Sequence, residues 1–545
     1  MTQYSKWHHP YKVDPKFNKK AAYFSMEFGI DQTLKIYSGG LGFLAGSHMR
    51  SAYELKQNMI GIGMLWKYGY YDQRRHEDKT LRVASIEKHY PFLEDTGIQV
   101  QVRLLDNANV HVRAYCMTPE TFGTVPMYFL STDVPENDHL SRTITDRLYY
   151  ANELTRISQS IVLGIGGAKV VEALGGADIY HLNEGHGLPA FYYLRDKGLT
   201  KKNFVFTTHT PEEAGNEERD AAFLNKMGFF GRDLSQEELD AESVKDGMLS
   251  YTVAALRLAK RSNAVSKLHA KVSKGMWKSY AGISKIIPIT NAQNKTYWQD
   301  ETLAKAFEKE NTKAFVARKK ELKKELFKEV ADQTGKLFDP EVLTVVWARR
   351  FAGYKRADLL LSDMERFEKI LANAKQPIQI IWAGKPYPQD QSAIDTFNRL
   401  VHFSKGRKNV AVLVGYELEL SRLLKNGSDV WLNNPRITRE ASGTSGMTAA
   451  MNGSVNVSTY DGWIPEFAKD GKNSFVLPPA KMDVSLEEHD REDYENLYEI
   501  LEKKVIPTYY KPAAWNKIVF QAMKDVLPEF GSHRMATQYY EELYK

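Results

Sequence analysis

The sequence predicts an α/β protein built on doubly wound parallel sheets, two such units of Rossmann-like type facing a central cleft. Three observations predict it. In the second half, short apolar segments alternate with amphipathic helical stretches, a rhythm that implies parallel strands joined by crossover helices. Polar clusters follow directly on several of those segments, at the carboxyl strand ends where doubly wound sheets bind ligands. The chain has 545 residues, 43% hydrophobic and 26% charged, which suffices for two large cores.

The strands are expected at residues 343–348, 378–383, 410–414 and 429–432. A helix is expected over about 356 to 374, because Leu360, Met364, Phe367 and Leu371 step by three or four. In the first half, residues 204–208 read as a buried strand that runs into a loop over 209–215, and residues 177–182 as a second strand running into 183–187. Between about 298 and 340 the chain turns charged and helical; glutamates punctuate its lysines and leucines recur on one face, so it reads as a solvated helix. The expected organisation is a first domain over 1–297, a helical connector over 298–340, a second domain over 341–515, and a helical tail over 516–545 that can cross back to the first domain.

Charge and composition narrow the function. The 74 basic and 68 acidic residues leave a net charge of +6, and no basic run is interleaved with aromatics, so nucleic acid is not expected as a partner. The single cysteine, Cys116, precludes an internal disulfide and suits a reducing compartment. The first residues lack the apolar centre of a signal peptide, and no apolar run approaches the ~20 residues that span a bilayer. A cytoplasmic protein without membrane contact is expected.

Five clusters carry candidate chemistry. Gly39-Gly-Leu-Gly-Phe-Leu-Ala-Gly46 is a glycine-rich turn before a helix, serving either as a tight turn or as an anion cradle of backbone N–H groups. Gly164-Ile-Gly-Gly167 imitates a dinucleotide fingerprint, but its flanks read as helix, so NAD is rejected. His181-Leu-Asn-Glu-Gly-His186 lacks zinc-helix spacing, and reads as a hydrogen-bonded wall rather than a metal site; no metal is expected. Ala348-Arg-Arg-Phe-Ala-Gly-Tyr-Lys-Arg356 places four cations directly after a buried strand, a density that favours a phosphate among them over a solvated run. Glu440-Ala-Ser-Gly-Thr-Ser-Gly446 offers hydroxyls and amides at a helix start, as a second anion cradle or an ordinary cap, with a carboxylate placed to accept sugar hydroxyls.

In order along the chain, these clusters resemble the α-glucan (glycogen, starch, maltodextrin) phosphorylases, in particular their shorter bacterial and archaeal members. The resemblance runs from about Tyr23 to Asp461. It includes Phe24-Ser-Met-Glu-Phe-Gly29, Tyr37-Ser-Gly-Gly-Leu-Gly42, Thr208-His-Thr-Pro211, Val265-Ser-Lys-Leu-His269, Ile289-Thr-Asn291, Ala383-Gly-Lys385, Asp429-Val-Trp-Leu-Asn433 and Glu440 to Gly453. It implies two Rossmann-like domains of the GT-B glycosyltransferase type and the retaining, reversible phosphorolysis of α-1,4-glucans to glucose 1-phosphate.

By the same resemblance, His209, Arg350 and Lys355 are catalytic. Gly40, Asn291, Glu440, Ser442 and Gly443 bind substrate. Arg349, Tyr416, Thr444, Ser445 and Thr448 line the pyridoxal phosphate pocket. The implied partners are an α-1,4-glucan or maltodextrin and inorganic phosphate or glucose 1-phosphate, and a homo-oligomer is compatible with the family. One position breaks the pattern. The family holds pyridoxal phosphate as a Schiff base on a lysine where this chain has Thr448, and a hydroxyl forms no Schiff base, so covalent attachment there is not expected. Ser47 replaces an aspartate of the family, and Glu212-Glu213 an apolar-Pro pair. Two alternatives to phosphorolysis stay open: a retaining transferase of the same fold that uses a sugar nucleotide, and a glucan-binding protein without turnover.

Overall fold

The computed structural model describes residues 4–212, 215–481 and 484–545; Glu213 and part of the loop expected over 209–215 lie outside them. The protein is α/β with large parallel sheets. The chain divides into two compact units. One comprises the chain up to Tyr70, Ser85–Asn291 and Ser532–Lys545; the other comprises Tyr71–Ala84 and Ala292–Gly531.

The first unit is organised on a nine-stranded sheet. Its strands stand in the order Lys285–Pro288, Arg261–Ala264, Phe204–Thr207, Ile179–Asn183, Ala21–Phe24, Met59–Met64, Met127–Ser131, Asn109–Met117 and Glu94–Arg103. Adjacent strands are parallel as far as Met127–Ser131, and the last two are antiparallel. Ala21–Phe24 and Ile179–Asn183 are buried throughout, as expected for central strands covered on both faces. The chain terminus completes this unit. Helix Ser532–Gln538 lies against helix Gly40–Glu54, with Ser532 Oγ 2.6 Å from Ser51 Oγ.

The second unit carries a fully parallel six-stranded sheet. Its strands Val410–Leu413, Ile378–Ala383, Leu343–Ala348, Val430–Asn433, Val455–Ser458 and Ser474–Val476 stand side by side in that order. Counted along the chain this is the doubly wound order 3-2-1-4-5-6. The winding reverses between Leu343–Ala348 and Val430–Asn433, and the carboxyl ends of these two strands form the switch point. Leu343–Ala348 is buried along its length and pairs in register with Ile378–Ala383.

Several expectations are corrected by this arrangement. Tyr71–Ala84, expected within the first domain, belongs to the second unit as the hairpin Asp72–Arg75/Leu81–Ala84. Buried Gln73 fastens it there, since Nε2 donates to Gly384 O at 2.8 Å and Oε1 accepts Gly415 N at 2.9 Å. Residues 298–340, expected as a connector, are part of the second unit's core. Helix Thr312–Thr334 buries Phe315, Leu322, Leu326, Phe327 and Val330 and packs on helix Leu418–Gly427. The tail over 516–545 is divided: helix Pro512–Glu529 stays with the second unit and Ser532–Lys545 with the first.

The helix expected over 356–374 is shorter. It runs Met364–Leu371 after a 3-10 turn at Leu359–Leu361. Arg356 prevents an earlier start, because it sits at φ 50°, outside helical geometry. Its guanidinium is tied to Asn434 O at 2.9 Å and Asp493 at 2.6 Å. Asp363 then caps the helix by accepting from Arg366 N. Among the described residues no helix is long and apolar enough to cross a membrane.

Candidate functional site

The switch point of the second unit gathers the charged residues that the sequence singled out. Strand Leu343–Ala348 delivers Arg349 and Arg350 as it ends, and a 3-10 turn at Gly353–Lys355 delivers Lys355. The chain leaving Val430–Asn433 delivers the turn 440–444 ahead of helix Ser445–Met451.

Lys355 Nζ donates to Glu440 Oε2 at 2.9 Å, with both side chains largely buried. Burial pushes the Glu440 carboxyl up, but Lys355, Arg349 and Arg350 outweigh it and hold the group below its ordinary value. Glu440 is therefore a carboxylate fixed as an acceptor. Arg350 is exposed, and its charge reaches Glu440. Arg356, counted with the other cations in the sequence, is instead a buried strut that pins Asn434 O and Pro435 O and pairs with Asp490 and Asp493.

Arg349 is buried at 6% exposure. Its Nη2 donates to Leu432 O at 3.1 Å and to Asn433 Oδ1, while its Nε has no partner. Ser442 Oγ is likewise buried without a partner. Each of these unsatisfied buried polar groups costs about 1–3 kcal/mol, and an anion is a group that can relieve that cost. Gly443 lies at φ 81°, a left-handed conformation that favours glycine. Gly462, at φ 60°, has no room for a side chain, because a Cβ would stand 2.3 Å from Ser442 O.

Deeper in the same unit, Tyr416 OH donates to Ala348 O at 3.3 Å, and burial raises its phenol. Trp431 Nε1 donates to Ser445 Oγ at 3.3 Å. Thr444 adopts helical geometry at the helix start and makes no capping bond through its side chain. Thr448 is fully buried, and its hydroxyl donates to Ser445 O at 3.0 Å.

Asp461 was not singled out as a functional residue. Its carboxylate accepts Glu440 N and Gly462 N, both at 2.8 Å, and so holds the 440 turn. Burial raises its carboxyl to about 7. The available signal was its place just beyond strand Val455–Ser458, at another carboxyl strand end.

In the first unit, His209 follows strand Phe204–Thr207. Its Nε2 lies 2.6 Å from Asn183 Oδ1, and its N–H donates to Glu184 Oε2 at 2.8 Å. Burial, with His269 and His186 nearby, lowers its imidazole to about 3, so it is neutral near pH 7. Glu184, read from the sequence as part of a hydrogen-bonded wall, holds φ 72° and accepts Thr210 Oγ1 as well; such strain in a non-glycine residue clusters at functional sites. Asn291 is buried with its Oδ1 unpartnered. His181 bridges Tyr544 OH and Thr207 Oγ1, each at 2.7 Å, and among the described residues no cluster of three or more His, Cys, Asp or Glu is placed to hold a metal ion.

The glycine-rich turn divides by position. Gly46 is demanded by packing, since a Cβ would meet Gly29 O at 1.9 Å, whereas a Cβ at Gly40 would meet nothing within 4 Å. The amides just before it are engaged: Glu27 Oε2 accepts Ser38 N at 2.6 Å and Gly39 N at 3.2 Å. Ser47 is buried in the same helix.

Fold and switch point together define an α/β protein whose second unit sets a cluster of cations beside a fixed carboxylate. Comparison with known proteins carries this further. Residues 288–477 match the model of the carbohydrate phosphorylase family. A maltodextrin phosphorylase of Thermococcus litoralis is 33% identical over 97% of this chain and 71% of its own length. A glycogen phosphorylase of Aquifex aeolicus is 32% identical over the whole of this chain and 88% of its own. An uncharacterized protein of Methanocaldococcus jannaschii is 46% identical over 97% of this chain and all of its own. The chain belongs to the carbohydrate phosphorylase family.

Proposed function

We propose that the protein is a retaining hexosyltransferase that cleaves α-1,4-glucans with inorganic phosphate, reversibly, to release glucose 1-phosphate. The observation that carries this reading is the pair of unpartnered buried donors, Arg349 Nε and Ser442 Oγ, beside the Lys355–Glu440 ion pair. Cleavage develops an oxocarbenium-like carbon and negative charge on the departing oxygen, so cations placed in advance lower the barrier. Arg350 and Lys355 are assigned to the substrate phosphate. Glu440, held ionised, accepts hydrogen bonds from glucose hydroxyls, and the Gly443 N–H and the Ser442 hydroxyl are assigned to the same sugar. His209, kept neutral by burial, orients the transferred glucose through a hydrogen bond without adding charge. Asp461 keeps the 440 turn in place.

Pyridoxal phosphate, implied by the family resemblance, fits this chain at one end. Arg349 Nε is an unsatisfied donor for its phosphate, and Thr444, Ser445 and Tyr416 are assigned to the same pocket. At the other end Thr448 offers a hydroxyl already engaged with Ser445 O, and no amine. When bound, the cofactor supplies a phosphate that stabilises developing charge and takes part in proton transfer.

The test is release of glucose 1-phosphate from maltodextrin with phosphate and saturating pyridoxal phosphate, and its loss in Arg350→Ala. No product under those conditions rejects the reading. Thr448 favours a second reading, a sugar-nucleotide-dependent transferase whose diphosphate lies on Arg350, Lys355 and residues 442–445. Calorimetry with nucleotide sugars decides it, and absence of binding removes it.

A further inference from the structure

We propose that Asn183 is a positioning residue for His209: it fixes the ring proton on Nε2 and leaves Nδ1 able only to accept a hydrogen bond. This rests on the phosphorylase reading above, in which His209 orients the transferred glucose, and deepens it by naming what sets the chemical form of that ring.

The residues meet because three neighbouring strands of the nine-stranded sheet end side by side. Ala21–Phe24 pairs in parallel with Ile179–Asn183, and Ile179–Asn183 with Phe204–Thr207, Asn183 standing opposite Thr207. Ser25, Asn183 and His209 therefore lie at adjacent carboxyl strand ends, the side of a parallel sheet on which ligands bind. Ser25 and Asn183 are both 1% exposed, so their polar atoms must satisfy one another rather than water.

The hydrogen bonds through these residues run in one direction. They start at a main-chain carbonyl, Glu27 O, which can only accept. Ser25 Oγ donates its proton to that carbonyl at 3.0 Å. With the proton committed, Ser25 Oγ accepts from Asn183 Nδ2 at 3.1 Å. The amide is thereby oriented, and its Oδ1 faces His209 Nε2 at 2.6 Å. An amide oxygen has no proton to give, so Nε2 carries the hydrogen and donates it. A neutral imidazole has one such hydrogen, and Nδ1 keeps a bare lone pair. Reversing the amide would require the Ser25 proton for Oδ1 and take it from the buried carbonyl of Glu27.

Both ends of this relay are anchored. The Glu27 carboxylate accepts Tyr149 OH at 2.8 Å as well as the amides of Ser38 and Gly39. His209 is held through its own main-chain N–H on Glu184. The consequence is one of selectivity. A nitrogen that only accepts pairs with a hydroxyl and repels a bare phosphate or carboxylate oxygen; with the proton on Nδ1 the preference would be the opposite. Asn183 thereby suits His209 to the sugar rather than to the anion.

The experiment reads the ring directly, in the full-length protein without substrate. Nitrogen-15 labelling of histidine distinguishes a protonated from a pyridine-type ring nitrogen, and the His209 signals are those missing from His209→Gln. The expected result is a protonated Nε2 and a bare Nδ1, with the Nδ1–H form entering in Asn183→Ala. A proton on Nδ1 in the unsubstituted protein overturns the proposal, which decides it even if a variant fails to fold. A proton that stays wholly on Nε2 in Asn183→Ala overturns it too. In glucose 1-phosphate release, kcat/KM is expected to fall about tenfold or more in Asn183→Ala. The same change made in His209→Gln should cost little further, because residues acting as a unit do not add; fully additive losses reject the positioning role. Release together with an Nδ1–H ring rejects the role of Asn183 and leaves the function standing. The expected ring form without release does the reverse.

Discussion

Lys355 Nζ and Glu440 Oε2 stand 2.9 Å apart at the switch point of the six-stranded sheet, joining two segments 85 residues apart in the chain. Their side chains are 13% and 12% exposed, so breaking the pair leaves a charge in a largely water-free place. Lys355→Met is expected to cost about 3–5 kcal/mol in denaturant unfolding, with most of that recovered when Glu440→Gln is added. Glucose 1-phosphate release should fall by about 10²–10³ in the single variant, if the ammonium holds the reacting phosphate.

Gln73 is expected to be a stability residue without contact to any reacting atom. Its amide satisfies Gly384 O and the N–H groups of Gly415 and Tyr416. Gln73→Ala leaves these backbone groups buried and unpaired, and should lower unfolding free energy by about 2–4 kcal/mol. Circular dichroism in a urea series measures it.

Lys319 gives the protein a pH dependence of definite sign. Its folded-state value is about 7 against an ordinary 10.5, because burial disfavours the ammonium. Between those two values the unfolded chain binds more protons than the folded one. Stability from this group therefore rises with pH through that window, by at most about 1.4 kcal/mol per pH unit. Lys319→Met should remove that slope in unfolding curves recorded from pH 7 to about 10.

His209 should stay neutral through the working range. Burial lowers its imidazole to about 3, so its ring resonances are expected to hold constant from about pH 8 to pH 5. Titration of that ring near pH 6.5 would reject a neutral, orienting role.

Much of the second sheet was legible because apolar, β-branched runs bounded by polar turns carry their own signal. The expected strands at 343–348 and 378–383 have the observed bounds. The Lys355 and Glu440 clusters were legible too, since cations and hydroxyls stood just beyond strand ends. Arg356 was misread with its neighbours, because local charge density does not distinguish a ligand-facing cation from one turned back onto Asp490 and Asp493. Asp461 escaped notice because a single carboxylate after a strand resembles any turn residue.

By itself the sequence determined the parallel α/β class, the carbohydrate phosphorylase resemblance and the absence of a lysine at 448; periodicity, motif order and residue identity are properties of the chain alone. Tertiary structure decided that the Tyr71–Ala84 hairpin is built into the second unit, which of four neighbouring cations meets Glu440, and that Asn183 meets the ring of His209. These depend on strand order and on contacts between residues far apart in sequence, such as Gln73 with Gly415 across 342 positions. A local pattern says which face of a segment is buried, but packing alone says against what.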